Sequence, residues 1–170
     1  FVYRMSVGEL PFLTSIFPLG ARIDSDIEIQ LDGWNLSQTT IQLKTGTRRS
    51  YRPVTSVSVP QEVGPPLRFP LQIGRLQEHV ETEPNNRIDD AVQIDTHQVI
   101  NGRIDQPGDQ DVYRLNCHGK LVIEVQARQH GSPLDSLVMV TDENGEELAF
   151  NDDYEDKTQA LATHHADSLL

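Results

Sequence analysis

The sequence predicts an all-β protein made of two β-sandwich modules. Two observations predict this class: short segments alternate apolar and polar residues at every second position, and clusters of turn-forming residues separate them at the spacing of a small antiparallel sandwich. The only helical turn that we expect lies within 88–94. The chain has 170 residues, which suits one or two domains.

In the first module, three segments alternate in this way and are predicted as half-buried strands: 27–31, 40–44 and 67–73. Turn residues such as Asp32-Gly33 and Gly46-Thr47 separate them. In the second module, 111–115 and 121–127 alternate and are joined by His118-Gly119. The runs 137–140 and 147–150 flank Asn144-Gly145, a pair that favours a β-hairpin because both residues tolerate positive φ.

The charge changes abruptly along the chain. Residues 1–80 carry 8 basic and 7 acidic residues, whereas residues 81–170 carry 6 basic and 19 acidic residues. The net charges are therefore +1 and −13, which together give the −12 of the chain. Such a shift predicts a boundary between a neutral and an acidic module, which we place near residues 74–82.

The acidic surface and the apolar pattern exclude several classes of function. A net charge of −12 repels nucleic-acid phosphates and anionic lipids, so nucleic-acid binding is not expected. Membrane insertion is not expected either, because no apolar run approaches the roughly 20 residues of a membrane span. A lone Cys117 excludes an internal disulfide and is expected to be a small buried hydrophobe. The start at Phe1, without a signal segment, leads us to expect an internal segment of a longer protein.

A series of motifs in the acidic module has a familiar order: Glu81-Thr-Glu83-Pro84-Asn85-Asn86, Asp90-Ala91, Asn101-Gly102-Arg103-Ile104, Gly108-Asp109-Gln-Asp111-Val112-Tyr113, Gly131-Ser132-Pro133-Leu134-Asp135 and Asp142-Glu-Asn144-Gly145. It continues through 148–153 and 164–168. The set resembles the bacterial pre-peptidase C-terminal domain, abbreviated PPC. This resemblance implies a jelly-roll-like sandwich over 78–170, related to the collagen-binding domains of bacterial collagenases. It also implies a secreted or cell-surface protein.

The resemblance suggests how the remaining residues are organised. The family's closing aromatic strands are missing after Leu170, so we expect the second sandwich to be incomplete at its C-terminus. Residues 1–9 begin with Phe-Val-Tyr-Arg-Met, which is similar to that closing strand and suggests the tail of a preceding copy. Residues 10–77 look like an immunoglobulin-like module of the IPT/TIG type. In it Trp34 is either an exposed binding aromatic or, as we favour, a core anchor.

Six oxygen-bearing residues form the best candidate site: Glu81, Glu83, Asn85, Asn86, Asp109 and Asp111. Carboxylates at alternate residues of an extended segment point the same way, and calcium takes six to eight oxygen ligands in flexible geometry. In the collagen-binding relatives calcium lies between a linker and an Asp-containing loop. By resemblance, Glu81, Glu83 and Asn85 lie on the linker and Asp109 and Asp111 on the loop. The alternative is a solvated acidic linker with Asp109 in a turn.

Other clusters have simpler interpretations. Asp142-x-Asn144-Gly145 lacks the glycine position of an EF-hand loop and is predicted to be a hairpin turn. Residues 151–153 with Asp156 and Asp167 form a second cation site or, as we favour, an acidic loop. His164, His165, Asp167 and Ser168 have the side chains of a nucleophilic triad but lack a glycine-rich oxyanion turn. We expect the two histidines and Asp167 to brace the acidic loop instead.

These observations predict a non-catalytic accessory, spacer or adhesion module of a secreted or cell-surface bacterial protein, with calcium as a possible cofactor and neighbouring domains of the chain as partners. One alternative is a module that binds an extracellular polymer, collagen or polysaccharide, although few aromatic residues follow residue 80. Another is a non-catalytic part of a larger secreted peptidase.

Overall fold

A computed structural model of the chain describes residues 2–3, 5–46, 53–62, 64–153 and 166–170. Their regular structure is β-strand, apart from single-turn 3₁₀ helices at Ile88–Asp90 and Arg128–His130. The predicted all-β class is therefore confirmed. The chain divides into two compact units, Phe1–Asn116 and Cys117–Leu170. The boundary predicted near residues 74–82 lies within the first unit.

The first unit contains ten strands, counted over the described residues: β1 Phe12–Phe17, β2 Gly20–Arg22, β3 Asp26–Trp34, β4 Thr40–Lys44, β5 Val54–Val59, β6 Leu67–Gly74, β7 Gln77–Val80, β8 Val92–Ile94, β9 Gln98–Asn101 and β10 Tyr113–Leu115. Six of them form two three-stranded sheets, β1-β3-β4 and β2-β6-β5. The first sheet is antiparallel, and in the second β2 runs parallel to β6 while β5 runs antiparallel to it.

These two sheets share one hydrophobic core. In β3, Ile29 and Leu31 are fully buried while the residues between and beside them are exposed, as expected of a strand with one face inward. The second sheet contributes Val59 from β5 and Phe69 and Leu71 from β6 to the same cluster. The alternation of apolar and polar residues in the sequence therefore matches the alternation of buried and exposed side chains in these strands. Burial of the apolar side chains is the main contribution to the stability of this part of the fold.

Two smaller parallel pairs, β7-β9 and β8-β10, follow the core sheets. β7 pairs in register with β9 from Gln77 opposite Gln98 to Val80 opposite Asn101. Tyr113, the first residue of β10, pairs with Val92 in β8. The ends of β7 and β9 and the start of β10 frame the acidic linker that begins at Glu81.

The second unit contains the predicted hairpin. β11 (Val138–Thr141) pairs antiparallel with β12 (Glu147–Asn151). Gly145 has φ +86°, and the Asp142 carboxylate accepts hydrogen bonds from the backbone N–H groups of Asn144 at 2.8 Å and Glu146 at 2.9 Å. Asp142 therefore closes a turn, as predicted. Only Gly145 of the Asn-Gly pair takes positive φ, so the hairpin uses one left-handed residue rather than two.

The strand predicted over 121–127 is wrong. Its backbone pairing is short: Glu124 and Leu169 form an isolated bridge, Ile123 and Leu170 exchange hydrogen bonds of 2.8 and 2.9 Å, and the N–H of Val125 donates to the carbonyl of Ser168 at 2.9 Å. Alternating side chains favour a strand, but a ladder forms only along a backbone partner of matching length.

Two expected core residues lie at the surface. Trp34 is 64% exposed and Cys117 is exposed as well, so neither is the buried residue that we expected. Trp34 is the last residue of β3 and shares the exposed face of that strand with Gln30 and Asp32, opposite the face that buries Ile29 and Leu31. Of the predicted tail strand 1–9, the described residues form no strand, and Phe1 and Arg4 lie outside the described residues.

No helix in the described part of the chain has the length and apolar character needed to cross a membrane.

Candidate metal centre

The linker after β7 runs between two other segments of the first unit. The backbone N–H of Glu81 donates a 3.0 Å hydrogen bond to the carbonyl of Asn101, the last residue of β9. Four residues later, the carbonyl of Asn85 accepts a 3.0 Å hydrogen bond from the N–H of Val112. These two backbone bonds hold the linker beside both β9 and the loop before β10.

This arrangement brings three of the six predicted ligands together. Glu81, Glu83 and Asp111 each present one carboxylate oxygen, and these three oxygens lie within 4.8 Å of one another. The side chains of Glu81 and Asp111 are half-buried and Glu83 is exposed, so the cluster opens to solvent on the Glu83 side. We call these three residues the carboxylate cluster.

Several buried polar atoms around the cluster have no hydrogen-bond partner among the described residues. They are Glu81 Oε2, Asp111 Oδ1, the Tyr113 hydroxyl, and both the oxygen and the nitrogen of the Asn85 carboxamide. Asn85 is 0% exposed, although its backbone N–H is bonded to Glu83 Oε2 at 3.0 Å. A buried polar group without a partner costs about 1–3 kcal/mol, so a site with several of them favours a bound ion or water.

Gly102 leaves the space into which the cluster points. A Cβ atom at this position would lie 2.9 Å from Glu81 Oε2, 3.0 Å from Asp111 Oδ2 and 3.3 Å from the Tyr113 hydroxyl. Three oxygen atoms from two segments, the linker and residues 111–113, therefore converge beside the missing side chain. The backbone at Gly102 does not adopt the left-handed conformation, so close approach rather than turn geometry explains the glycine.

The electrostatics of the cluster favour a positive charge. Burial, and then the neighbouring charge of Asp111, raise the pKa of Glu81 from 4.5 to about 7. Burial also raises the pKa of Asp111, and the charges of Asp109 and Glu83 add to this effect. The pKa of Tyr113 is raised by burial and by the carboxylates beside it, which keeps its hydroxyl protonated. Without a cation, the cluster holds a proton near neutral pH, because like charges at this separation disfavour full ionisation.

The donor set fits a hard cation. Calcium prefers oxygen ligands, tolerates irregular geometry and keeps waters on an open side, and the cluster provides three carboxylates with an open face. Glu81, Glu83 and Asp111 offer only carboxylate oxygens. The cluster therefore does not match zinc, which prefers sulfur and imidazole ligands. The buried, unpartnered oxygens of Glu81 and Asp111 are the atoms that would hold the ion.

The other predicted ligands lie outside the group of three. Asp109 Oδ2 accepts a 2.7 Å hydrogen bond from the N–H of Asp105, which closes a local turn. Asn86 Oδ1 accepts a 2.9 Å bond from the N–H of Gln110, which ties the linker to the loop. Gly102 and Tyr113 were missed as parts of the site, although both belong to the motifs that suggested the family. Gly102 has no side chain and Tyr113 is uncharged, so a choice of residues by the oxygen ligands that calcium prefers does not include them.

In the second unit, Asp167 and Ser168 have structural partners. The Asp167 carboxylate accepts hydrogen bonds from three consecutive N–H groups, those of Ala127 at 3.2 Å, Arg128 at 2.8 Å and Gln129 at 3.3 Å. Asp167 therefore holds the 127–129 turn rather than the acidic loop that we expected it to brace.

Ser168 is fully buried, and its hydroxyl lies 2.9 Å from that of Ser136 and donates to the carbonyls of Ser136 at 2.7 Å and Asp152 at 3.2 Å. The bond to Asp152 means that Ser168 contacts the acidic loop. The remaining residues of the triad-like and acidic clusters, Asp156, His164 and His165, lie outside the described residues.

Comparisons of the chain with protein-family models, with curated proteins and with solved structures found no match. The resemblance to the PPC domain stays a prediction that depends on the motifs themselves.

Proposed function

We propose that this chain is a non-catalytic spacer or adhesion module of a secreted or cell-surface bacterial protein, and that calcium at the carboxylate cluster stiffens the connection between its modules. In this proposal an immunoglobulin-like sandwich over 10–77 is followed by a PPC-like sandwich. The observation that carries the proposal is that Glu81 and Glu83, on the linker after β7, converge with Asp111, on the loop before β10, and that oxygens of Glu81 and Asp111 are buried without a hydrogen-bond partner among the described residues.

The position of the cluster supports a mechanical role. Asn101, whose carbonyl binds the linker at Glu81, also accepts side-chain hydrogen bonds from the N–H groups of Leu19 at 3.1 Å and Gly20 at 3.3 Å. Two residues on, the Arg103 guanidinium lies 4.0 Å from the centre of the Phe17 ring. An ion held by Glu81 and Asp111 would thus fix the linker to a segment that is already bonded to the core sheets.

The ligands of the ion come from two separate segments. Glu81 and Glu83 lie on the linker, and Asp111 lies on the loop before β10. An ion that binds only the folded arrangement stabilises it by RT ln(1 + [L]/Kd), about 2.7 kcal/mol when the free ion is at a hundred times its Kd. A chain working outside a cell, where calcium is abundant, would gain this stability without any change of sequence.

The test is a calorimetric titration of calcium chloride into the chelator-treated chain, with thermal unfolding in calcium and in EDTA. We expect calcium binding and a higher melting temperature, both lost in a Glu81→Gln, Asp111→Asn variant that keeps the side-chain shapes. A matched control, Asp89→Asn with Asp90→Asn, removes two exposed carboxylates outside the cluster and should bind like the parent. Absence of binding heat together with an unchanged melting temperature would contradict the calcium part of the proposal.

A further inference from the structure

Two asparagine–glycine pairs occur in the chain, Asn101-Gly102 and Asn144-Gly145. An asparagine before a glycine is especially prone to lose its side-chain amide without any enzyme. The backbone nitrogen of the next residue attacks the side-chain carbonyl carbon, and a glycine has no Cβ to obstruct that approach. The structure places the two pairs in opposite environments, so one molecule shows how far the fold controls this reaction.

The carboxamide of Asn101 is fixed by hydrogen bonds. Its oxygen accepts from the N–H groups of Leu19 at 3.1 Å and Gly20 at 3.3 Å, and its nitrogen donates to Glu78 Oε2 at 3.0 Å. The residue is only 9% exposed. To meet the nitrogen of Gly102, the carboxamide would have to turn away from all three partners at a buried position, where each lost bond is costly. The fold therefore protects Asn101.

Asn144 is exposed at the tip of the hairpin between β11 and β12. Its side-chain nitrogen donates a 3.2 Å hydrogen bond to Asp142 Oδ2 in an exposed position. The attacking nitrogen, that of Gly145, donates a 3.1 Å bond to the carbonyl of Asp142 within the turn. Hydrogen bonds of an exposed turn open far more readily than a buried network, so the reacting atoms of this pair are free to meet.

We propose that Asn144 is a site of spontaneous deamidation, a covalent modification that converts its amide into a carboxylate. The Gly145 nitrogen forms a bond to the Asn144 side-chain carbonyl carbon, the carbon–nitrogen bond of the amide breaks, and ammonia leaves with the proton of the Gly145 nitrogen. Water then opens the resulting five-membered succinimide ring at either carbonyl. The product is aspartate, or isoaspartate when the main chain continues through the side-chain carbonyl. One water is consumed and one ammonia is released.

The new carboxylate changes the electrostatics of the turn. The N–H of Glu146 and then the side chain of Asn144 hold the pKa of the Asp142 carboxyl below its ordinary value. Deamidation removes the amide donor and places a second negative charge beside that carboxylate. Glu143, Glu146 and Glu147 are close in sequence, so the added charge enters a segment that is already acidic. Like charges at short range repel, which weakens the turn.

Isoaspartate changes the backbone as well, because it adds one carbon atom to the main chain inside the turn. The length of a turn sets the register of a hairpin. In the present register Met139 pairs with Phe150, and the side-chain oxygen of Asn151, the last residue of β12, accepts a 2.9 Å bond from the N–H of Leu169. We therefore expect the modified hairpin to be less well protected than the original one. The inference concerns the second unit and does not depend on calcium.

The test incubates the whole chain at mildly alkaline pH and follows both asparagines by peptide mapping and mass spectrometry. We expect Asn144 to deamidate at least about tenfold faster than Asn101, which corresponds to a barrier difference of about 1.4 kcal/mol. Isoaspartate should be among the products, detected by fragmentation of the modified peptide and by methylation with an isoaspartyl methyltransferase. Asn101 is the internal control, because it has the same following residue in the same chain.

The matched variant is Asn144→Gln, which keeps an amide but forms the corresponding six-membered ring much more slowly. Its peptide should stay unmodified over the same incubation. Hydrogen exchange of the β11 and β12 amides then measures the consequence for the hairpin. It should accelerate in the aged parent chain and stay unchanged in the aged variant, so general damage during incubation is distinguished from deamidation.

Three outcomes would count against the inference. An intact Asn144 after a period in which a synthetic peptide of residues 140–148 deamidates completely would show that the turn protects this residue. Equal rates at Asn144 and Asn101 would show that the fold does not discriminate between the two pairs. Deamidation at Asn144 with unchanged hydrogen exchange in β11 and β12 would contradict the proposed effect on the hairpin.

Discussion

The side-chain nitrogen of Asn101 donates a 3.0 Å hydrogen bond to Glu78 Oε2, which ties the last residue of β9 to β7. The same carboxamide accepts from the N–H groups of Leu19 and Gly20 through its oxygen. Asn101 is buried. The burial of Glu78 itself raises the pKa of its carboxyl group, and the hydrogen bond from Asn101 only partly offsets that rise. One amide side chain therefore connects β7, β9 and the entrance to β2, directly beside the linker.

Replacing Asn101 by Ala should lower the free energy of unfolding of the first unit by about 2–4 kcal/mol. The change removes three hydrogen bonds and leaves buried N–H groups unpaired, and each such group costs about 1–3 kcal/mol. Urea unfolding monitored by circular dichroism measures the loss. Gln93→Ala, at an exposed position of β8, is the control and should change stability by less than about 0.5 kcal/mol. An Asn101 variant as stable as this control would contradict the proposed connection.

Gly102→Ala should weaken calcium binding at the carboxylate cluster at least tenfold, about 1.4 kcal/mol. The added methyl group would lie within 3.0 Å of Glu81 Oε2, so the carboxylate must move away from the space that the ion needs. Calorimetry compares this variant with Ile104→Ala, at a nearby exposed position that is not one of the three cluster residues. Unchanged calcium affinity in Gly102→Ala would show that the ion, if bound, lies elsewhere.

In EDTA, the stability of the chain should fall as the pH rises. The pKa of Glu81 is raised from 4.5 to about 7, so the folded state binds more protons than the unfolded state between these values. The stabilising effect of this proton is complete below the unfolded-state pKa and is lost as the pH passes through the folded-state pKa. Urea unfolding at a series of pH values should show a decline that Glu81→Gln flattens.

Calcium should cancel this decline, because the ion replaces the proton at the carboxylate cluster. The same series of urea unfolding experiments, repeated with calcium, measures this directly. If stability in EDTA were constant or increased over the interval from about pH 5 to about pH 7, the carboxylates would be solvated and independent of one another.

Asp167→Ala should expose the 127–129 turn of the second unit to hydrogen exchange. The carboxylate is the acceptor for three consecutive N–H groups, and charge-assisted hydrogen bonds contribute about 1.5–3 kcal/mol. Amide exchange followed by NMR should therefore accelerate at least tenfold at Ala127 and Arg128. Asp135→Ala, at an exposed position of the same unit, should leave these amides protected. Equal protection in both variants would mean that other groups hold the turn.

The strands that could be predicted are those with a regular alternation of apolar and polar residues. The prediction of 40–44 matches β4, and the predictions of 27–31 and 67–73 lie within β3 and β6. β5 was missed although Val57 and Val59 alternate with serine. The segment 121–127 alternates just as well but forms no strand in the described chain. Alternation indicates which face a strand would bury, whereas a backbone partner decides whether the strand forms.

The sequence by itself determined the all-β class, the main core strands, the hairpin at Asn144-Gly145 and the alternating carboxylates of the linker. All of these depend on residues close together in the chain. Only the tertiary structure decided that Asp111 joins Glu81 while Asp109 closes a turn, that Gly102 leaves room beside them, and that Trp34 stays at the surface. The physical reason is that these features depend on strand pairing between distant segments, which local periodicity does not specify.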